Sequence, residues 1–298
     1  MNKTMLSLWA ACLIAIVSTA QTNEQALKLT GIVSLPEMKC AFLEFNASGR
    51  YSRQVKVKLR EGQREEGVEI LKIDAGNGEV EVKSDGKQFL LRLEGAGQKS
   101  QTICFRGVTF QQVVDLYGEI TGRNVLQSPL DRSLAMAGLS SNIEAQDGGQ
   151  AALAFENIFL QQGLAVIPDG KKFVILVPTS SVSTVVAGSD KLTSTVDQST
   201  GFSTPNQMIS VGAINFMNAE VAQVVRLYED LVGRKLNREE SQLLGPPIHF
   251  RSVTRLSKVE AIYAVETLLK LDGLEIIPIG DKEFKVAPQS SERRIKDK

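Results

Sequence analysis

The chain has 298 residues, 43% of them hydrophobic, with 34 Lys and Arg balanced by 34 Asp and Glu, one histidine and three cysteines. That length accommodates two or three small domains. The charge balance excludes binding driven by a basic nucleic-acid footprint or by attraction to an anionic membrane, so any partner has to be recognised by shape and backbone pairing.

Residues 1–20 read as a secretory signal peptide. Lys3 supplies a weak positive end, residues 5–17 are a mostly apolar run, and Ser18-Thr19-Ala20 is a small-residue cleavage site. The run is 13 residues long, short of the ~20 that span a bilayer as a helix. The expectation is a periplasmic protein with no transmembrane span after cleavage. Cys12, preceded by Trp9-Ala10-Ala11, is a poor match to a lipidation site. Cys40 and Cys104 remain, both in strand-like apolar contexts. Two buried free thiols are expected, with a single disulfide left open as the alternative in an oxidising compartment.

Residues 27–95 form short apolar runs at roughly ten-residue spacing, separated by Gly, Pro and charged clusters, which predicts a small all-β barrel or sandwich. Gly76-Asn77-Gly78 and Ser84-Asp85-Gly86-Lys87 are turn signals, because Gly and Asn tolerate positive φ.

From residue 100 onward the chain repeats itself. Leu116-Tyr117-Gly118-Glu119-Ile120-Thr121-Gly122-Arg123 is answered by Leu227-Tyr228-Glu229-Asp230-Leu231-Val232-Gly233-Arg234 at an offset of 111. Further on, Gly163-Leu164 answers to Gly273-Leu274, Pro168 to Pro278, Phe173 to Phe284 and Pro178 to Pro288. So long a period denotes a duplicated domain. In the first copy, 100–178, a strand over 101–105 leads to Thr109 as N-cap and a helix over 110–120. Val113, Leu116, Tyr117 and Ile120 line its apolar face, and Gly122 stops it. Strands near 124–127 and 139–145 follow. A second helix then begins after Asp147-Gly148-Gly149, with Ala151, Phe155, Ile158 and Phe159 as its face and Gly163 as its stop. Residues 164–168 and 173–177 flank Asp169-Gly170-Lys171 as a hairpin. The predicted order is β-α-β-β-α-β-β. The second copy, 209–288, repeats it with Val221, Val224, Val225 and Tyr228 on one helix and Ala261, Val265, Leu268 and Leu269 on the other. Residues 179–207 are a flexible linker by composition, and 289–298 a charged tail. The fold class expected is α+β: a small all-β domain followed by two tandem βαββαββ modules.

Residues able to do chemistry are scarce. His249 stands without a Cys or carboxylate cluster in sequence, a poor metal site, and reads as a half-buried or surface histidine. Neither a nucleophile elbow nor a phosphate or dinucleotide loop is present. Asp147-Gly148-Gly149 reads as a helix N-cap rather than an anion site, and the paired carboxylates of residues 60–67 as a solvated loop rather than an acid/base pair. Tyr117 and Tyr228 read as core residues. No catalytic, cofactor-binding or metal residue is assigned.

The pattern Phe-x-x-Val-Thr-Phe-x-x-Val-Val-x-Leu-x-x-x-x-Thr-Gly-x-Asn over 105–124 resembles the short amino-terminal domains of outer-membrane secretins, also found before the plug of TonB-dependent receptors. So does x-x-Ile-Pro-Asp-Gly-x-x-Phe-Val-Ile-x-x-Pro over 165–178. The second copy departs from it, with Lys235 in place of the Asn and Ile279-Gly280-Asp281 in place of the Asp-Gly turn. Residues 28–93 resemble the periplasmic domain of inner-membrane clamp proteins of type II secretion and type IV pilus machines. The likeness rests on Gly31-Ile32-Val33, Ala41, Arg60-Glu61-Gly62-Gln63, residues 68–73, Val80-Glu81-Val82, Gly86 and residues 90–93. The chain lacks the pore-forming strands of a secretin and ends ten residues after the second copy. The resemblance therefore implies a non-enzymatic periplasmic scaffold of a secretion or pilus-type machine. Its partners would be proteins (a secretin, an inner-membrane clamp, pilus-assembly proteins or further copies of itself), not nucleic acid or a cofactor. A periplasmic signalling module is the alternative, and a hydrolase or carbohydrate-binding protein a third class.

Overall fold

A computed structural model describes residues 27–47, 53–93, 103–130, 134, 137–185, 208–238, 241 and 243–289. The expected signal peptide, linker residues 186–207 and tail residues 290–298 lie outside that set. The fold is α+β. Among the described residues no helix is long and apolar enough to cross a membrane.

The first part contributes β1 (Lys28–Leu35), β2 (Met38–Ala47), β3 (Arg53–Leu59), β4 (Arg64–Glu65), β5 (Val68–Asp74), β6 (Glu79–Ser84) and β7 (Lys87–Arg92). The β6–β7 turn has positive φ at both Asp85 and Gly86, the geometry that suits a two-residue hairpin loop. Next come β8 (Ile103–Thr109), α1 (Phe110–Thr121), β9 (Asn124–Gln127), β10 (Gly138–Ile143), α2 (Gly148–Gln161), β11 (Leu164–Asp169) and β12 (Phe173–Pro178). The last part holds β13 (Met208–Ile209), β14 (Asn215–Ala219), α3 (Val221–Val232), β15 (Lys235–Leu236), β16 (Ile248–Arg251), β17 (Leu256–Ser257), α4 (Lys258–Leu271), β18 (Leu274–Ile279) and β19 (Glu283–Pro288). Helix ends follow local chemistry. Thr109 and Gln112 form a capping box on α1, the Asp147 carboxylate accepts from Gln150 N at 2.8 Å on α2, and Gly122 and Gly233 close α1 and α3 in the left-handed conformation.

Residues 179–184, expected as the start of a flexible linker, form a 3-10 helix. The Thr179 amide donates to the Gly163 carbonyl at 2.9 Å, tying that turn to the end of α2.

The all-β part is not self-contained. One sheet runs β10-β8-β1-β2-β3 and a second runs β4-β5-β6-β7, so β8 continues the sheet begun by β1. The cause is legible in β1, which buries both faces: Ile32 points to the β4–β7 side and Val33 to the side covered by α1 and α2. A strand buried on both faces belongs inside a sheet, not at its edge. Gly31 permits the approach, since a Cβ there would lie 2.8 Å from Phe105 Cβ.

The same arrangement settles the cysteines. Cys40 on β2 pairs with Val33 and Cys104 on β8 with Ile32, so they flank β1 and point into different cores. Two strand spacings separate them by roughly 9–10 Å, beyond the ~7 Å limit of a disulfide. Both are free thiols. Burial pushes Cys40 up to about 12, and the Cys104 thiol donates to Asn142 Oδ1 at 2.9 Å.

The two α+β halves share their pairing. β12 runs parallel to β9 and antiparallel to β11, as β19 does to β15 and β18. Tyr117 donates to Glu156 at 2.7 Å and Tyr228 to Glu266 at 2.8 Å. One expected match is wrong. Phe173 faces Asp169 and Asn124, while Glu283 faces Ile279 and Lys235, so Phe173 corresponds to Glu283 and Val174 to Phe284. Strand faces alternate, and that one-residue difference puts the two phenylalanines on opposite sides of their sheets.

Candidate functional site

Two groups of polar side chains converge where parts of this molecule meet. The first meeting point is the β12 face. Val174 and Leu176 point into the core of their own half, whereas Phe173, Ile175 and Val177 join the core of the next half. Phe173 meets Tyr263 of α4 edge to face at 5.6 Å, and the Tyr263 hydroxyl donates to Asp169 Oδ2 at 2.5 Å. Asn124, fully buried, donates to the Lys172 carbonyl (3.0 Å) and to Thr254 Oγ1 (2.7 Å). Its side-chain oxygen accepts from Val253 N (2.8 Å) and Thr254 N (3.3 Å). Lys172 donates to the Arg255 carbonyl at 3.1 Å and to Glu260 at 2.8 Å. Burial works against the Glu260 carboxylate, but hydrogen bonds from Lys172 and the Ser257 cap outweigh it and hold its pKa below the usual value.

The second meeting point is Glu119 on α1. Its carboxylate lies 2.6 Å from Lys58 of β3, 3.4 Å from Arg60 and 3.2 Å from Arg251 of β16. Lys58 and Glu119 side chains are each only 13% exposed. The Lys58 ammonium makes no aligned hydrogen bond, so its contact with Glu119 is held by charge rather than by hydrogen-bond geometry. One helical turn earlier, Asp115 Oδ1 lies 3.5 Å from His249 Nε2.

Beside this cluster is a cleft of about 480 Å³. It is lined by residues 56–59 of β3 with Gln63, Arg64 and Glu65, by Gln112 and Asp115 of α1, and by Asn215, Met217, His249 and Arg251 of β14 and β16. Met217 is 72% exposed. Among the described residues the lining holds no Ser, Thr, Cys or Tyr. What the cleft offers is cations, two carboxylates (Glu65 and Asp115), amides and a strand edge. Among the described residues no group of three or more His, Cys, Asp or Glu is placed to hold a metal ion.

The residues singled out in the sequence are scattered. His249 lines this cleft, 10% exposed at its side chain. Asp147 serves as an N-cap, and Tyr117 and Tyr228 are buried. In the acidic run, Glu61 accepts from Ile73 N at 2.7 Å and Glu66 pairs with Arg53 at 3.1 Å, so those carboxylates do not pair with each other. Glu119, Lys58, Arg251, Lys172 and Tyr263 were not foreseen. A signal existed for the joint: Asn124 and Asp169 are positions where the second copy departs, to Lys235 and Ile279. The chain matches no family model, no curated protein and no solved structure.

Proposed function

We propose that this protein is a non-enzymatic, exported scaffold of a secretion or pilus-type envelope machine, built from a clamp-like β part and two tandem βαββαββ modules, and that it works by docking onto protein partners. The observation that carries the reading is how the parts bind one another: a strand added to a sheet edge (β8 on β1) and a sheet face laid on a helix (β12 on α4). Both devices use backbone groups and apolar faces, the usual means of peptide and module recognition. The departures of the second copy fit this reading. Glu283 and Lys285 stand where Phe173 and Ile175 stand in the first, so charged side chains replace two apolar ones that there join the neighbouring core.

The test is cross-linking in intact cells followed by mass spectrometry of what is joined to the chain. Recovery of a secretin or an inner-membrane clamp protein is expected. Recovery of neither, under conditions where the chain is itself abundantly cross-linked, overturns the proposal.

A further inference from the structure

The sheet β10-β8-β1-β2-β3 is already extended on one side by β8 and β10, while β3 pairs with β2 alone. Among the described residues no strand covers the outer edge of β3, and residues 56–59 of that strand line the cleft described above. Open strand edges template pairing unless something blocks them. Lysines are a common block, and Lys56 and Lys58 stand on this strand. Neither is free to swing across the edge, because Lys56 donates to the Gly107 carbonyl at 3.1 Å with Glu44 at 3.8 Å, and Lys58 is drawn to Glu119.

The charge around that edge is uneven. Lys56, Lys58, Arg64 and Arg251 line the cleft against Glu65 and Asp115; behind them Glu44 pairs with Lys56, and Glu119 is divided among Lys58, Arg60 and Arg251, which leaves Arg64 as the lining cation with no ion pair among the described residues. Resting on the scaffold reading, we propose that this cleft receives one extended, acidic segment of a partner protein. That segment pairs its backbone with the edge of β3 and sets its carboxylates on Arg64 and Arg251. Backbone pairing supplies affinity, and the cations select an acidic sequence and its register.

The probe is a fluorescent peptide of alternating Glu and Val, as long as β3, titrated against the full chain and followed by anisotropy and by hydrogen exchange. Saturable binding is expected, with slowed exchange at the amides of 55–59 and an affinity about tenfold weaker for Arg64→Glu, which places a repulsive charge at an exposed position. A peptide with Lys in place of Glu, and an acidic peptide with alternate amides N-methylated, should both fail to bind. Binding of either control as tightly as the probe, or binding without protection at β3, overturns the proposal. So does a complete lack of binding by the acidic probe; recovery of a secretin or clamp protein by cross-linking would then leave the scaffold reading standing and remove only this cleft from it.

Discussion

Replacing Glu119 by Gln tests the three-way junction directly. The change keeps the side chain's shape and removes its charge, leaving Lys58 beside a neutral amide with its ammonium buried. At 2.6 Å and an effective dielectric of ~20, the Lys58–Glu119 attraction is about 6 kcal/mol before desolvation. Most of that offsets the loss of hydration of two largely buried ions. What decides the outcome is that breaking a buried pair strands the remaining charge, at a cost of about 3–5 kcal/mol. Arg60 and Arg251 are about half exposed and add about 0–1 kcal/mol each. The expected loss is therefore about 3–5 kcal/mol, or roughly 6–20 °C in Tm at ~2–4 °C per kcal/mol. Thermal and urea unfolding of the full chain measure it. Lys58→Met combined with Glu119→Leu should recover most of the loss, because an apolar pair carries no desolvation debt. A single variant within about 1 kcal/mol of the parent, or a double variant as unstable as the single, refutes this account of the junction.

Further outcomes follow from other residues. Asn124→Ala removes all the side-chain hydrogen bonds of a buried amide and should cost about 1–3 kcal/mol, whereas Lys235→Ala, at the matching but exposed position, should stay within ~0.5 kcal/mol; paired unfolding curves decide it. Burial pushes the Asp272 carboxyl up to about 7, so the folded chain holds a proton that the unfolded chain has released. Its stabilising contribution is full below the ordinary carboxyl value of ~4 and is lost as pH rises through about 7. Asp272 also caps the C-terminal end of α4, where the helix dipole disfavours a negative charge. Asp272→Asn should therefore raise the unfolding free energy at pH 8 by about 1 kcal/mol once partial exposure is allowed for, seen as a higher Tm, and change little at pH 5; an equal effect at both values would show that ionisation is not the cause. Gly31→Ala forces a contact at 2.8 Å on Phe105 and should cost about 1–3 kcal/mol, with faster hydrogen exchange along β8; unchanged exchange there would mean that the β1–β8 crossing tolerates a methyl group.

What the sequence determined by itself was local. The positions of α1, α2, β9 and the hairpins, the Thr109 cap, the Gly122 stop and the Asp85-Gly86 turn follow from side-chain periodicity and backbone preference within a few residues. The repeat was legible too, because duplicated cores keep the same apolar positions. Tertiary structure alone decided that β8 joins the sheet of β1 and that Val174 rather than Phe173 matches Phe284. It alone brought Arg251 to Glu119 across 132 residues. Those contacts arise when separate elements share one core: a strand's two faces can serve two different neighbours, and neither face carries a mark in the linear sequence of which neighbour it will meet. The two polar groups at the meeting points lie in that second category, since both are made where parts distant along the chain are pressed together.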